Sequence, residues 1–417
     1  MAINTDTATP ATGAVATGLP IKWRVLISGF MSYAFDALDF MILAMSLPLI
    51  IKELDITMAD AGLLGTATLL GVGLSSIVMG WFADNYGRKT ALMVGISIFG
   101  IFTAAIGFSQ GYYSIMALRF IAGLGLGGIW GVIAAFINET WPSHQSGRAA
   151  SFVFSSWPIG FGTAALLAGF ILPRYGWRVL FFCGAVALVA VAYTYFFVPE
   201  SEAWKKSKKE REAKGGTTAS IGITEIFAPE FLRFTIVGTL SASCALIAYW
   251  GVNTWVPTFL VKERGMDIAS MSMFIVMLNV GMFVGYQFFG FLADKIGGKN
   301  ALILNFVGAT IMVPVYAFAE NTTLLFWLGP VMALFFSYAG IFGSYFAKLY
   351  PLRIRSLGSG FCFDVGRGIS AFAPFLLGQI AAHYSLAVGI SLCGASFALA
   401  GVMMLMLPDT RGRAAVD

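Results

Sequence analysis

The sequence predicts an all-α membrane protein whose twelve transmembrane helices form two pseudo-symmetric six-helix bundles. Three observations support this fold class: an apolar composition, a series of apolar runs of spanning length, and an internal repeat. Of the 417 residues, 58% are hydrophobic and 11% are charged, and the mean hydropathy is +0.81. A soluble domain carries about 25% charged residues. This chain therefore has too few charges to cover a water-facing surface, and lipid must be its main solvent.

The apolar runs are long enough to cross a bilayer, which requires about 20 residues in a helix. Short polar breaks separate them along the whole chain. The predicted spans are 24–51, 61–83, 89–108, 113–139, 146–172, 177–198, 232–260, 269–293, 301–319, 324–350, 356–382 and 386–407.

Polar segments divide the chain into five parts. The first residues lack the order of basic and then apolar residues that a signal peptide has, so the first span is expected to remain as an uncleaved anchor. The predicted organisation is a disordered cytoplasmic tail (1–21), an N-terminal six-helix bundle (22–199), a lysine-rich solvated cytoplasmic linker (200–230), a C-terminal six-helix bundle (231–408) and a second cytoplasmic tail (409–417).

The basic residues predict the orientation. If both termini share one side, the opposite side holds five Lys or Arg residues, two more lie inside spans, and the remaining 19 of the 26 lie on the side of the termini. The positive-inside rule then places both termini and the linker in the cytoplasm. We expect a multi-pass protein of the plasma membrane, the inner membrane of a bacterium. The five residues on the opposite side are Lys52, Arg174, Arg178, Lys262 and Arg264.

An internal repeat relates the two halves. Residues 80–89 read GWFADNYGRK after the second span, and residues 290–299 read GFLADKIGGK after the eighth, an offset of 210. Trp141-Pro142 and Tyr350-Pro351 repeat at an offset of 209. Parallel repeats of this kind build transporters whose solute site lies between the halves.

Residues 80–89 closely resemble the loop signature of the major facilitator superfamily, although Trp81 and Asn85 depart from it. Arg119, followed by the glycine-rich residues 123–128, is similar to the fourth-span signature of that superfamily. The resemblance covers the chain from about residue 22. It implies a major facilitator fold and a secondary transporter that works by alternating access.

A finer resemblance points to a group within the superfamily. Residues 36–40, DALDF, are similar to the first-span motif of the aromatic acid:proton and sialate:proton symporter families, and residues 361–368, FCFDVGRG, resemble their eleventh span. The antiporter signature is poorly kept around Trp157-Pro158. The resemblance implies proton-coupled uptake of a small carboxylate. A neutral, sugar-like solute porter and a proton-coupled drug or metabolite exporter are the alternatives.

Two aspartates in the first span are the candidate proton-coupling residues. Asp36 and Asp39 are three residues apart and share a helix face near mid-bilayer. A charge in the bilayer core costs about 2.5–3.5 kcal/mol, so two neighbouring carboxylates there do not both ionise easily. The alternative is a structural ion pair, most plausibly with Arg119; both roles can coexist.

Arg367 and Arg119 are the candidate anchors for a substrate carboxylate, which a guanidinium binds through two parallel hydrogen bonds. Asp364, one turn from Arg367, would hold its side chain; the alternative is a purely local Asp364–Arg367 ion pair. Three internal acids and two bases balance when one proton is bound, as expected for an anion that enters with protons.

Polar and aromatic residues inside spans are candidates for the cavity wall. Amides in mid-span need partners, so Asn253, Asn279 and Gln287 are the most informative, together with Tyr338. For any single aromatic residue, packing against lipid or helices is the more common role. The remaining candidates are Trp130, Trp157, Tyr249, Trp250, Tyr286 and Tyr345.

Charged residues at the predicted cytoplasmic ends are candidates for a conformational latch. An aspartate at position 84 can cap the eleventh span, which begins near Ser356, through the helix dipole. The resemblance implies that this contact holds the outward-open state; the alternative is that these charges only set the topology. The latch candidates are Asp84, Arg88, Lys89, Asp294, Arg148, Glu139 and Arg353.

The sequence lacks the residue patterns that are typical of metal sites and nucleotide-binding loops. Two histidines far apart and four scattered cysteines do not predict a metal site. The glycine-rich run 123–128 follows no strand and precedes no Gly-Lys-Ser/Thr, so it is not a nucleotide loop. We therefore expect no enzyme activity and no cofactor beyond the proton. The expected partners are a small organic anion, protons and lipid, with no nucleic acid and with the chain as a monomer.

Overall fold

A computed structural model of the chain describes residues 19–142, 149–150, 152–213, 223–350 and 355–410. Within these ranges, eleven helices are long and apolar enough to cross a membrane. One of them, Phe152–Phe197, has 46 residues, which at 1.5 Å per residue is about 69 Å and more than twice the hydrocarbon thickness. It breaks at Gly176, where φ is 75°. The break divides it into two spans and makes twelve, as the sequence predicted.

The first six spans form the N-terminal half. They are α1 (Ile21–Leu54), α2 (Met58–Tyr86), α3 (Arg88–Ile106), α4 (Tyr112–Leu126 and Ile129–Thr140), α5 (152–175) and α6 (177–197). Within α6 a 3-10 segment, Cys183–Ala187, precedes the last helical part, Leu188–Phe197.

The last six spans form the C-terminal half. They are α7 (Pro229–Lys262), α8 (Ile268–Ile296), α9 (Gly298–Phe318), α10 (Thr322–Leu334 and Tyr338–Ala347), α11 (Arg355–Ile369, then Ser370–Phe372 as a 3-10 turn and Ala373–His383) and α12 (Leu386–Leu405). Their ends lie within about three residues of the predicted ones wherever the structure describes them. The predicted linker contains a helix, Glu202–Ala213, and a 3-10 turn, Ile223–Phe227.

The glycines of α4 permit close packing against α2. A Cβ at Gly123 would collide with the carbonyl oxygen of Thr68, and a Cβ at Gly71 would collide with that of Phe120. Small residues at such contacts let helix backbones approach in lipid. Gly128 has a φ of 82°, a conformation that favours glycine, and α4 is interrupted there. The glycine-rich run thus sets the packing and the course of this helix.

The two faces of the bundle are defined by the ends of the first helix. The terminal face is the one where α1 begins at Ile21 and where α12 ends, and the distal face is the one where α1 ends at Leu54. The halves meet along α1 with α7, α2 with α11, and α5 with α8. These six helices are called the seam.

The seam is closed on its distal side. A Cβ at Gly65 of α2 would lie 3.2 Å from Pro374 of α11, and one at Gly73 would lie 3.1 Å from Gly368. Closer to the terminal face, a Cβ at Gly80 would meet no atom within 4 Å among the described residues. Among the described glycines of α2, the close contact with α11 thus runs from the distal end to the middle of the bundle.

The internal repeat extends to the distal face. Glu53 at the end of α1 accepts a 2.7 Å hydrogen bond from Trp177 Nε1 at the start of α6. Glu263 at the end of α7 accepts a 3.1 Å bond from the backbone N–H of Ala387 at the start of α12. Both residues of the second pair are 210 positions after those of the first, the offset of the loop motif. Each half therefore ties its first helix to its last through an equivalent glutamate, with an indole N–H as the donor in the N-terminal half and a backbone N–H in the C-terminal half.

Candidate functional site

Asp39 and Arg119 form an ion pair inside the N-terminal half. Asp39 on α1 and Arg119 on α4 are both 0% exposed, and Arg119 Nη1 lies 3.3 Å from Asp39 Oδ2. The hydroxyl of Thr103 donates to Asp39 Oδ1, and Arg119 Nε donates to Thr68 Oγ1 at 2.9 Å. The Asp39 charge is therefore balanced without help from the other half, which is the structural pairing that the sequence offered as an alternative.

Asp36 faces the other half of the protein. It is 1% exposed and interacts electrostatically with Arg367 of α11. No ion pair within 4.0 Å joins the two groups in the described part of the chain. Asp36 Oδ1 and Arg367 Nε are both buried without a hydrogen-bond partner there. A carboxylate and a guanidinium from opposite halves thus lie within electrostatic range of each other, and each has a buried polar atom without a hydrogen-bond partner in the described residues.

Asp364 does not form the local contact with Arg367 that the sequence allowed. The two groups interact electrostatically, but the described residues contain no ion pair between them within 4.0 Å. Asp364 Oδ2 lies 3.9 Å from the Cβ position of Gly360, one turn towards the terminal face. The Arg367 guanidinium instead lies over the Phe363 ring, 5.8 Å from its centroid.

Aromatic contacts bracket these buried charges. On the distal side of Asp36, the rings of Phe40 and Trp250 join the halves at 4.6 Å between centroids. On the terminal side of Arg367, Trp130 stacks on Phe363 at 5.7 Å. The Asp36–Arg367 pair thus lies between two aromatic layers, each with one ring from either half.

A direct hydrogen bond also crosses the seam. Trp157 Nε1 of α5 donates to Tyr249 Oη of α7 at 2.6 Å. Tyr249, Tyr33 and Tyr338 all interact electrostatically with Arg367, and Tyr286 lies within the electrostatic range of all three. Tyr33 was missed in the sequence, although its position one turn before Asp36 on the same helix was a usable signal.

The amides predicted to line the cavity have different environments. Asn253 and Asn279 are buried on the seam helices α7 and α8. Gln287 is exposed and shares a helix face with Val284 and Phe291, which are 49% and 59% exposed. Tyr338 is buried and donates to the Ala245 carbonyl at 3.2 Å. The structure brings the two asparagines to the seam and places Gln287 on an outward face.

A small cavity lies beside the buried arginine of α4. Its volume is about 20 Å³, which is room for about one water molecule. Arg119, Thr68 and Phe40 line it from the N-terminal half, and Trp250 and Thr254 from the C-terminal half. Arg119 Nη2 and Trp250 Nε1 find no acceptor among the described residues.

Three latch candidates, Arg88, Lys89 and Glu139, are bound within the N-terminal half. Arg88 Nη2 lies 3.0 Å from Glu139 Oε1. Glu200, after the end of α6, accepts from the backbone N–H groups of Arg88 at 2.9 Å and Lys89 at 3.1 Å. Sequence reasoning missed Glu200, since capping across more than a hundred residues leaves no local pattern.

The other latch candidates give no contact to interpret. Asp294 is exposed at the end of α8. Arg148 and Arg353 lie outside the described residues, and for Asp84 the description covers the backbone, which lies in α2.

Comparison with known proteins identifies the family. Residues 29–361 match the family model of the Major Facilitator Superfamily. The chain belongs to this superfamily. Its members build a solute site between two six-helix halves, and Asp36, Arg367, Asn253 and Asn279 lie on helices at that boundary. The protein is thus a multi-pass secondary transporter and not an enzyme.

Relatives and solved structures agree with this assignment. The chain is 29% identical over 384 residues to the cis,cis-muconate transport protein of Acinetobacter baylyi, covering 91% of this chain and 93% of the relative. It is 28% identical over 396 residues to the sialic acid transporter NanX of Escherichia coli, covering 93% and 94%. The crystal structure of a D-xylose-proton symporter superposes with a TM-score of 0.77 at 19% identity, covering 94% of this chain and 99% of that one, a likeness of fold alone.

Proposed function

We propose that this protein takes up a small organic anion, a carboxylate, together with protons, and that its terminal face is cytoplasmic. The observation that carries the proposal is Arg367, a guanidinium 5% exposed at the seam whose Nε has no acceptor in the described residues. A buried donor of a charged group that lacks an acceptor is costly. A carboxylate that binds Arg367 when the site is occupied removes that cost.

Asp36 is the proton carrier in this proposal. Asp39 is already balanced by Arg119, whereas Asp36 interacts with Arg367, the group that the substrate needs. A substrate carboxylate and an ionised Asp36 would compete for one guanidinium. Protonation of Asp36 removes the competitor, so proton and anion binding favour each other.

The charge count fits this coupling. Asp36, Asp39 and Asp364 oppose Arg119 and Arg367 in the buried part of the bundle. One proton on Asp36 makes the set neutral, and the substrate anion then binds to a site from which one negative charge has been removed. With the substrate anion bound, the set carries one net negative charge if Asp36 is protonated and two if it is not, so the protonated form of the loaded site is the less costly one in the low-dielectric interior.

The names of two relatives support a carboxylate as the substrate. Muconate and sialic acid, the solutes in the names of two relatives, are both carboxylic acids. The similarity to them runs nearly end to end. A neutral solute, the alternative raised from sequence, brings no charge for Arg367 and so would not compete with Asp36 for the guanidinium.

The test is uptake of radiolabelled organic acids and neutral sugars into proteoliposomes, with and without an inward proton gradient. We expect at least one acid to accumulate only with the gradient, and Arg367→Gln to abolish that uptake. The matched control is Arg174→Gln, which removes an exposed arginine of the distal face and should transport normally. Gradient-independent uptake of an acid, or normal uptake by Arg367→Gln, would overturn the proposal. Preferential uptake of a sugar would favour the neutral-solute porter.

A further inference from the structure

Two buried amide oxygens at the seam lack hydrogen-bond donors. Asn253 on α7 is 1% exposed and Asn279 on α8 is 3% exposed. Asn253 Nδ2 donates to the Tyr249 carbonyl at 2.9 Å, and Asn279 Nδ2 donates to the Ile275 carbonyl at 2.8 Å. Within the described ranges, neither Oδ1 atom has a partner. An unpaired buried acceptor is destabilising, so each such atom requires an explanation.

The orientation of both amides is fixed by chemistry. A backbone carbonyl only accepts hydrogen bonds, so the NH₂ end of each side chain must face the carbonyl one turn earlier. Exchanging the N and O positions would place two acceptors against each other. The unpaired atoms are therefore oxygens, and both sites lack a donor.

The two amides lie close to the proposed substrate site. Asn253 is one turn from Tyr249, which interacts with Arg367 and accepts the bond from Trp157 across the seam. Asn279 is three residues before Met282, whose sulfur lies 3.9 Å from Tyr249 Oη. Because α7 and α8 run in opposite directions, both asparagines lie about one turn to the distal side of Tyr249. They lie on the distal side of the Phe40–Trp250 contact, whereas the Arg367 guanidinium lies on its terminal side.

The N-terminal half also reaches Asn279. Its Cβ lies 3.7 Å from the position that a Cβ at Gly162 of α5 would occupy. Opening or closing the contact between α5 and α8 therefore changes what surrounds this amide. A molecule bound between the halves can therefore reach Asn279 when α5 and α8 are farther apart than in this structure.

We infer that the substrate carries, besides its carboxylate, a hydroxyl or N–H group that donates to Asn253 and Asn279. The inference rests on the proposed function, in which Arg367 binds the carboxylate at the opposite end of the substrate. A site whose buried acceptors await a donor discriminates strongly against an analogue that lacks one, because the analogue leaves the acceptors unpaired. The asparagines thus select hydroxylated or N–H-bearing organic acids over plain ones.

The test compares matched acids that differ by one hydroxyl: benzoate with 3- and 4-hydroxybenzoate, and butanoate with 4-hydroxybutanoate. Binding is measured by ligand-induced thermal shift of the purified protein in detergent, and transport by gradient-driven uptake. In at least one pair, we expect the hydroxylated acid to bind about tenfold more tightly than its partner. The wild-type comparison does not depend on the folding of any variant.

Variants of Asn253 and Asn279 test whether these side chains cause the preference for the hydroxylated acid. Asn253→Leu and Asn279→Leu should each bring the affinity ratio within the pair towards one, mainly by weakening the hydroxylated acid. The control is Asn305→Leu on α9. Asn305 is 0% exposed and its Oδ1 also lacks a donor in the described residues, but its Nδ2 contacts Ser337 inside the C-terminal half. The ratio should be unchanged in this variant.

The outcomes separate this inference from the proposed function. Equal affinities within every pair, with uptake still driven by protons, would overturn the inference and leave the proposed function standing. A ratio that persists in both Asn253→Leu and Asn279→Leu would also overturn it. Absence of proton-driven uptake of any acid would overturn the proposed function and this inference with it.

Discussion

Asp36 and Asp39 lie three residues apart on α1 but have different neighbours. Asp39 is held by Arg119 and Thr103 within its own half, whereas Asp36 faces Arg367 of the other half. A fully paired carboxylate stabilises one half, while a carboxylate opposed across the seam can respond to what binds between the halves. In the proposed function, Asp39 therefore has a structural role and Asp36 a coupling role.

The first prediction concerns Asp36. Asp36→Asn removes the proton-binding carboxylate and its competition for Arg367, so gradient-driven accumulation should fall to the level of empty liposomes. Exchange of internal for external substrate should persist, because it needs no net proton movement. Both are measured in proteoliposomes. Glu320→Gln, an exposed acid between α9 and α10, is the control and should accumulate normally; undiminished accumulation by Asp36→Asn would contradict the assignment.

The second prediction concerns the buried pair of the N-terminal half. Arg119→Leu leaves the Asp39 carboxylate buried and uncompensated, which should lower the free energy of unfolding by about 3–5 kcal/mol. The double variant Asp39→Leu/Arg119→Leu removes both charges and should recover much of that loss. Unfolding in detergent measures both. A double variant no more stable than Arg119→Leu would show that the charges are not coupled.

Helix packing accounts for glycines that take no part in binding or proton coupling. The glycines of α4 were noticed as a sequence signature, and the structure assigns them to backbone contact with α2 and to the break at Gly128. Lipid gives helices no hydrophobic drive to associate, so close van der Waals contact between backbones has to supply it. The packing of α2 and α4 positions Thr68 and Arg119, and through them Asp39.

The third prediction tests this packing. A Cβ at Gly123 would collide with a backbone carbonyl of α2, which cannot move aside as a flexible side chain can. Gly123→Ala should therefore lower the thermal unfolding temperature and the folded yield in detergent. The matched control is Gly131→Ala in the second part of α4, where a Cβ meets nothing within 4 Å of the described residues. Equal stability of the two variants would contradict the packing account.

Within the described residues, the two halves of the whole molecule pack together from the distal face to the middle of the bundle. The described seam contacts of α2 with α11 reach only to the middle of the bundle, and α5 packs on α8 near the distal end. Aromatic layers from both halves enclose the buried charges. Alternating access requires the distal contacts to separate at another stage of the cycle.

The fourth prediction tests that separation by a disulfide. The Cβ position at Gly169 of α5 is 2.9 Å from Ser272 Cβ of α8, and a small adjustment reaches the roughly 3.5–4.5 Å of a disulfide. In a background without the four native cysteines, Gly169→Cys/Ser272→Cys should cross-link on oxidation, stop transport, and recover on reduction. Either single cysteine variant should transport under both conditions. Transport by the fully cross-linked protein would show that the distal contact need not open.

The sequence by itself determined the fold class and the span positions, because the bilayer forces about 20 apolar residues into every crossing helix and the repeat of 210 residues survives in the loops. It also located Asp36, Asp39, Arg119 and Arg367, since charges stand out in apolar spans. Which charge faces which was decided only by the tertiary structure. Asp39 meets Arg119 from 80 positions away, and Asp36 meets Arg367 from the other half, since pairing depends on how separate helices pack. The unpaired oxygens of Asn253 and Asn279 follow from the same packing and from no local pattern.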